Sequence, residues 1–323
     1  MRSKFWARAA LVIVLSLSLC SVAISQTFIT VVSGGIGGTY HPFGIAMAEM
    51  LSRSDIGVRA NSRATSASRE NCRLIASDQA QVGMTMGFVL WQAYNGIGVF
   101  EGYDDMDLLI LMKLYSAPQH LITTTQTGIK RFEDIRGRRV STGSRGGGDQ
   151  LLTEKILEVA GINQFRDITR WQLTQLEAVM ALKDGDIDAA FFNFATPGAN
   201  ILQLALTHEV VLIPIPDYII ETVCNQYPFL IPSMIPAGTY PSQKVDISTI
   251  ADANYLVTNS NLPDQIAYDI VRLLIENRES FIRVTHYASN FTPKNVSVGI
   301  TPFHPGAIKY FVGQGIDMER KDE

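Results

Sequence analysis

The chain has 323 residues, a formal net charge of −4 and 46% hydrophobic residues, which allows two domains of roughly 150 residues, each with its own core. The mild acidic balance, with no basic face interleaved with aromatics, disfavours nucleic acid as a partner. Three cysteines, Cys20, Cys72 and Cys224, are too few for a disulfide framework.

The N-terminus reads as a targeting segment. Arg2, Lys4 and Arg8 form a basic start, Ala9 to Cys20 is an unbroken run of apolar and small residues, and Ala23-Ile24-Ser25 places small residues at −3 and −1. This pattern predicts a signal peptide over residues 1–25, cleaved before Gln26, and a periplasmic mature protein. The run is short for a membrane span, and the bulky Leu19 before Cys20 argues against lipid attachment. Losing Arg2, Lys4 and Arg8 takes the net charge from −4 to −7. No later stretch is long and apolar enough to cross a bilayer. Cys72 and Cys224 then either pair in an oxidising compartment or are simply buried small residues.

From Phe28 onward, strand and helix patterns alternate, predicting an α/β fold with largely parallel sheets. Strands are expected at Phe28–Val32, Val82–Met86, Leu108–Leu114, Leu121–Thr125, Arg139–Ser141, Ile168–Gln172, Ala189–Phe192 and Val210–Ile213. Helices are expected at Pro42–Arg53, Arg69–Ser77, Val89–Tyr94, Asp149–Ala160, Leu176–Lys183 and Pro197–Leu206. A proline-rich stretch, Tyr227 to Pro241, leads into helices around Pro263–Asn277, Glu279–Ala288 and Pro305–Gly313.

Two glycine-rich stretches sit where a strand hands over to a helix. The first is Ser33-Gly34-Gly35-Ile36-Gly37-Gly38-Thr39-Tyr40-His41-Pro42. It lacks the third glycine of a dinucleotide loop, because Tyr40 stands there, and it lacks the Gly-Lys-Ser/Thr ending of a phosphate loop. Two readings stand: a tight turn, or a place where backbone approaches a small anion at a helix start. The second stretch, Ser141-Thr142-Gly143-Ser144-Arg145-Gly146-Gly147-Gly148-Asp149, favours the anion reading. Two such loops suggest two lobes gripping one ligand, with Arg145 either a cationic partner or a solvated loop residue. Between them, Ser68 and Asn71 read as an N-cap and its N3 partner, or as a further ring of donors.

An enzyme is not indicated. His41, His120, His208, His286 and His304 lack metal-ligand spacing, and no Gly-x-Ser-x-Gly elbow is present. Asp184, Asp186 and Asp188 surround Gly185 between a helix and a strand, which is turn chemistry. The sequence therefore predicts no catalytic residues, no metal and no cofactor.

The motif Gly37-Gly38-Thr39-Tyr40-x-Pro42-x-Gly44 resembles the signature of TAXI-type solute-binding proteins, which serve tripartite ATP-independent periplasmic (TRAP) transporters. Further matches follow in order: Ser68-x-Glu70-Asn71, Gln92-Ala93-Tyr94-x-Gly96, Gly143-Ser144-x-Gly146-x-Gly148, Leu182-Lys183-Asp184-Gly185-x-Ile187-Asp188-Ala189, Ile235-Pro236-Ala237-Gly238-Thr239-Tyr240 and His304-Pro305-Gly306-Ala307. The resemblance spans about Phe28 to Gly315. It implies a two-lobed periplasmic-binding-protein-like fold of type II with the ligand cleft between the lobes. Lobe one would comprise residues 28–116 plus 232–323 and lobe two residues 117–231, with crossings near Ser116–Leu121 and within Tyr227–Pro236. It also implies a monomeric receptor that captures a small organic anion (a dicarboxylate, oxo acid or amino-acid-like carboxylate) and delivers it to the membrane subunits of a sodium-coupled TRAP transporter. A periplasmic sensor using the same cleft is the alternative.

Carried over by motif, ligand contacts would come from Gly37, Gly38, Thr39 and Tyr40, from Ser68 and Asn71, from Ser144, Gly146, Gly147 and Gly148, and from Asn193 to Thr196, with Arg145 added as the cationic partner read from the loop itself. The chain departs from the family where Met86, Gly87 and Phe88 replace a polar Gln-Ser-Asp set, Gly147 a serine and Asp149 a threonine. With Met86 and Phe88 in the wall, the expected ligand is a less polar carboxylate, such as an oxo acid or an aromatic acid.

Overall fold

In a computed structural model the described residues are 26–103 and 106–318; the expected signal peptide, residues 1–25, lies outside them. Ten strands run β1 (Thr27–Val32), β2 (Val58–Arg63), β3 (Val82–Met86), β4 (Leu109–Thr124), β5 (Arg139–Ser141), β6 (Thr169–Trp171), β7 (Ala189–Asn193), β8 (Val210–Leu212), β9 (Ile231–Ile235) and β10 (Ile247–Thr258). The helices used below are α1 (Tyr40–Arg53), α2 (Ser68–Ala76), α3 (Gly87–Tyr94), α4 (Gly148–Val159), α5 (Gln175–Asp184), α6 (Ala199–Leu204) and α7 (Asp217–Gln226). No helix among the described residues is long and apolar enough to cross a membrane.

The strands follow the order β2-β1-β3-β10-β4-β7-β5-β6, with β8 paired to β4 and β9 to β10. Parallel pairing, the expected kind, holds at the two flanks: β2-β1-β3 on one side and β7-β5-β6 on the other. The middle is antiparallel, because β10 opposes both β3 and β4 and β4 opposes β7. Parallel flanks follow from the helices that cross back between their strands, as the alternating sequence requires.

The two apolar runs expected as separate strands, Leu108–Leu114 and Leu121–Thr125, belong to the single 16-residue β4. Ser116 and Pro118 interrupt the apolar pattern without ending the strand. Pro118 lies where β4 stops pairing with β10, and from Gln119 its partner is β7. Proline is tolerated there because a ladder ends at that residue. Strand β4 thus links the two halves of the sheet.

Strands β2, β9 and β10 and helix α7 went unread in the sequence. In β2 only Val58 is buried, with exposed Arg59, Asn61 and Arg63 alternating along an edge. Prolines mask β9, and the buried polar residues Asp252 and Asn254 mask β10. Tyr227–Pro241 is therefore less irregular than its composition suggests.

Three apolar clusters hold the layers together. One, with Phe43, Met47, Leu114, Val271 and Phe311, covers the first half. A second, with Leu182, Phe192, Ile201 and Leu212, covers the second half and takes in Ile235, Tyr240 and Ile247. The third spans both, joining Val32, Ile75 and Phe88 to Leu152, Phe191 and Ile219. Cys72 and Cys224 are free thiols, the first buried and the second half-buried; burial pushes the Cys72 thiol up to about 12.

Candidate functional site

Five helices begin at one cavity. Its lining includes Thr39 and Tyr40 at the start of α1, Ala67 and Ser68 at α2, Met86 just before α3, Gly148 and Asp149 at α4, and Thr174 and Gln175 at α5. Gly34, Gly35, Gly38, Tyr115, Ser144, Asn193 and Asn254 complete the wall. The cavity measures about 50 Å³, space for a few water-sized groups, since about 10–15 Å³ on this measure holds one water.

Each helix start has backbone N–H groups without intrahelical acceptors and lies beside the cavity, a setting that favours negative charge. Three of the starts are already answered by a carboxyl of the chain itself. Asp252 Oδ2 accepts the Phe88 N–H of α3 at 2.9 Å, and Asp149 Oδ1 accepts the Gln150 N–H of α4 at 2.9 Å. On α5, Thr174 and Glu177 form a full capping box. Glu70 stands in the first turn of α2, where it accepts the Ser66 N–H and hydroxyl at 2.8 Å each. Helices α1 and α3 both lack an acidic residue in the first turn and a side-chain cap, but the α3 start is met by Asp252 from β10, which leaves α1 as the one of the five with no carboxyl beside its start. Its start is the open anion-favouring position.

The second loop reaches the first half closely. A Cβ on Gly148 would lie 2.6 Å from Met86 Sδ and 2.7 Å from Ser68 Oγ, so no larger residue fits with this spacing. Gly37, at φ +90°, presents its carbonyl to Asn200 Nδ2 of α6 at 2.9 Å. The Ala195 N–H donates to Thr39 Oγ1 at 3.4 Å.

Of the residues singled out in the sequence, the cavity brings together Gly38, Thr39, Tyr40, Ser68, Met86, Ser144, Gly148 and Asn193. Gly37 lines a neighbouring 460 Å³ cleft that shares Gly38, Thr39 and Gln175 with this cavity. Thr196 lines a different groove, beside Tyr115 and Pro118. Gly146 and Gly147 shape the second loop without lining the cavity; Gly147 N–H donates to Ser144 O at 2.8 Å. Arg145 is exposed. Phe88 is buried and packs edge-on against Tyr227, with centroids 4.9 Å apart. Asn71 is buried and fully used: Nδ2 donates to Ser33 O and Met84 O at 2.7 Å each, and Oδ1 accepts from Thr65 Oγ1 at 2.7 Å.

The capping pattern read at Ser68 and Asn71 is shifted by one residue. Ala67 is the N-cap, with φ +75°, and Glu70 occupies N3, the residue type a capping box prefers. Ala67 is held in that rare conformation by its N–H bond to Thr65 Oγ1 at 3.0 Å.

Gly34, Gly35 and Asp149 stood in the two glycine stretches without being assigned as ligand contacts, and the sequence reading assigned no site role to Ala67, Tyr115, Thr174, Gln175 and Asn254. Tyr115 and Asn254 come from β4 and β10, far from either glycine loop in sequence, and nothing local marks them. Thr174 carried a readable signal, its capping box with Glu177. Tyr40 donates its hydroxyl to Asn254 Oδ1, and burial raises its pKa well above the usual phenol value. Burial likewise pushes the Asp149 and Asp252 carboxyls up to about 7, against the pull of the backbone N–H groups they accept. No group of three or more metal-ligating side chains occurs among the described residues.

A model of the NMT1-like family matches residues 31–315. Among solved structures, one from Bordetella bronchiseptica is 15% identical, with 92% of this chain and 93% of that chain covered at a TM-score of 0.53. One from Listeria monocytogenes, named for an L-cystine ABC transporter, is 12% identical over 82% of this chain and 95% of its own, at 0.51. The periplasmic aliphatic sulphonate binding protein SsuA from Escherichia coli is 12% identical, with coverage of 90% and 84% at 0.48. At these identities the likeness concerns the fold alone, a two-lobed α/β arrangement.

Proposed function

This chain belongs to the NMT1-like family, and on that premise we propose that it is a periplasmic solute-binding receptor that takes up a small organic anion between its lobes. The observation that carries this reading is the convergence of five helix starts on one small cavity, with the start of α1 left without a carboxyl of its own. An anion there gains from the helix dipole and from N–H groups with no other acceptor.

In this reading the lobes divide at residue 116 on β4 and, on the return, near Ala251–Asp252 of β10. The second point is later than residue 232, because Ile235, Tyr240 and Ile247 share the apolar cluster of Phe192 and Leu212. Closure then follows from differential binding: the ligand stabilises the closed form only as far as it contacts both lobes better there than in the open form. The closed receptor delivers its cargo to the membrane subunits of a TRAP transporter of the TAXI type, as the ordered motifs from Gly37 to Ala307 imply, after export directed by residues 1–25.

Mass spectrometry of the small molecules released on denaturing protein purified from the periplasm tests the reading. It predicts a stoichiometric small organic acid. Stoichiometric recovery of a nucleotide or of a purely cationic metabolite would contradict it.

A further inference from the structure

The motif from Ile235 to Tyr240 lines no part of the cavity, and neither does His120, yet the two meet in the second half. Gly238, at φ +78°, lets the chain turn, with the Thr239 N–H donating to Pro236 O at 3.2 Å. Tyr240, which follows the turn, is fully buried, as is His120. His120 Nδ1 lies 2.9 Å from Pro118 O, and its Nε2 lies 3.1 Å from the Tyr240 hydroxyl. A carbonyl oxygen only accepts, so Nδ1 carries the ring hydrogen. Burial pushes the His120 ring down to about 4, so it is neutral and its Nε2 is an acceptor. The Tyr240 O–H therefore donates to it, which leaves the Tyr240 oxygen to accept the Gly198 N–H at 3.0 Å. The chain of bonds runs in one sense, from Gly198 through Tyr240 and His120 to Pro118, with every member satisfied. The Phe194 ring lies against His120, centroids 4.4 Å apart, and a Cβ on Gly198 would run into that same ring.

Both ends of this chain bear on how the two halves meet. Pro118 stands where β4 changes partner from β10 to β7. At the other end, residues 194–200 supply two hydrogen bonds to the first glycine stretch: the Ala195 N–H to Thr39 Oγ1 and Asn200 Nδ2 to Gly37 O. Gly198 lies between those two donors in sequence, so its bond to Tyr240 anchors the segment that presents them.

We infer that His120 and Tyr240 are positioning residues: together they hold residues 194–200 in the placement that fastens the second half to the first glycine loop beside the cavity. The purpose of the fastening, keeping the halves together around a bound solute, rests on the receptor reading above. The fastening itself is a property of the chain. It gives the motif ending at Tyr240 a role although that motif lies outside the cavity, and it places one of the five scattered histidines in that role as a neutral acceptor.

Hydrogen–deuterium exchange read by mass spectrometry, on purified protein without added solute, tests the inference. Tyr240→Phe removes the one oxygen that accepts the Gly198 N–H and donates to His120. Exchange is expected to quicken roughly 2- to 10-fold in residues 194–200, as suits the loss of one hydrogen bond. It is expected to quicken likewise in residues 34–38, because Gly37 O, which Asn200 holds, and Gly38 N belong to one peptide group. A Tyr240 that merely supported its own half would leave residues 34–38 unmoved. Asn200→Ala, the second variant, is expected to quicken residues 34–38 by itself. Combining the two changes should add little there, since both act through the same contact. Unchanged exchange at residues 34–38 in a folded Tyr240→Phe overturns the inference, as does unchanged exchange there in Asn200→Ala or full additivity of the two changes. The released small acid that tests the receptor reading plays no part in these measurements, so either account can fail without the other.

Discussion

Asn200 Nδ2 donates to the carbonyl of Gly37 at 2.9 Å, joining the first glycine loop to α6 in the other half of the molecule. Asn200 is half-buried and the bond lies at the surface, so it does little for either core. It helps hold the two halves together. Replacing Asn200 by alanine removes one hydrogen bond, worth about 0.5–1.5 kcal/mol. Ligand dissociation followed by stopped flow should quicken roughly 2- to 10-fold, with the melting temperature of ligand-free protein nearly unchanged. An unaltered off-rate would show that this bond plays no part in retention.

Asn71 and Tyr40 both belong to the motif resemblance, yet they sit in different surroundings. Asn71 is a structural brace between β1, β3 and the segment before α2, and Asn71→Ala leaves buried carbonyls at Ser33 and Met84 without their donors. Its stability in urea should fall by about 2–4 kcal/mol. Tyr40 lines the cavity but is also 7% exposed and packed in the first-half core. Tyr40→Phe, which removes only the hydroxyl given to Asn254, should keep the fold and alter binding. A stable Asn71→Ala variant with weakened binding would reverse this assignment.

Asp252 gives the protein a pH-dependent cost. Its folded pKa of about 7 lies above the unfolded value near 3.9, so the folded state holds the proton more tightly. Stability is fully present below pH ~4 and is lost as the pH rises toward ~7 and the buried carboxyl must ionise. Asp252→Asn removes this cost while keeping an acceptor for the Phe88 N–H. Measured as the difference between variant and wild type, the melting temperature should favour Asp252→Asn increasingly from pH 5 to pH 8. A difference that stays flat across that range would contradict the burial argument.

The glycine loops, the α1, α2 and α4 helices and the parallel flanking strands other than β2 were legible in the sequence because each is specified locally, by a glycine cluster, a β-branched or apolar run, or apolar residues at helical spacing. The middle of the sheet was not. Strand β4 hides behind Pro118, which reads as a break until its change of partner at Gln119 is seen. Strand β10 hides behind Asp252 and Asn254, whose side chains find partners at Phe88 and Tyr40, more than 160 positions away. The cavity divides the same way. Gly38, Ser68 and Gly148 announce themselves, whereas Tyr115 and Asn254 enter through tertiary contact alone. Arg145, the one cation expected at the ligand, is exposed at the loop surface, whereas Asp149 lines the cavity.

The central claim is that a small carboxylate occupies the cavity between the Tyr40 and Gly148 helix starts. A thermal-shift series with small carboxylates on wild type and on Gly148→Val tests it most directly, because the added side chain would occupy space within 3 Å of Met86 Sδ and Ser68 Oγ. The account predicts that at least one carboxylate raises the melting temperature of wild type by several degrees and leaves the folded variant unmoved. An equal rise in both proteins, or no rise with any carboxylate, would contradict it.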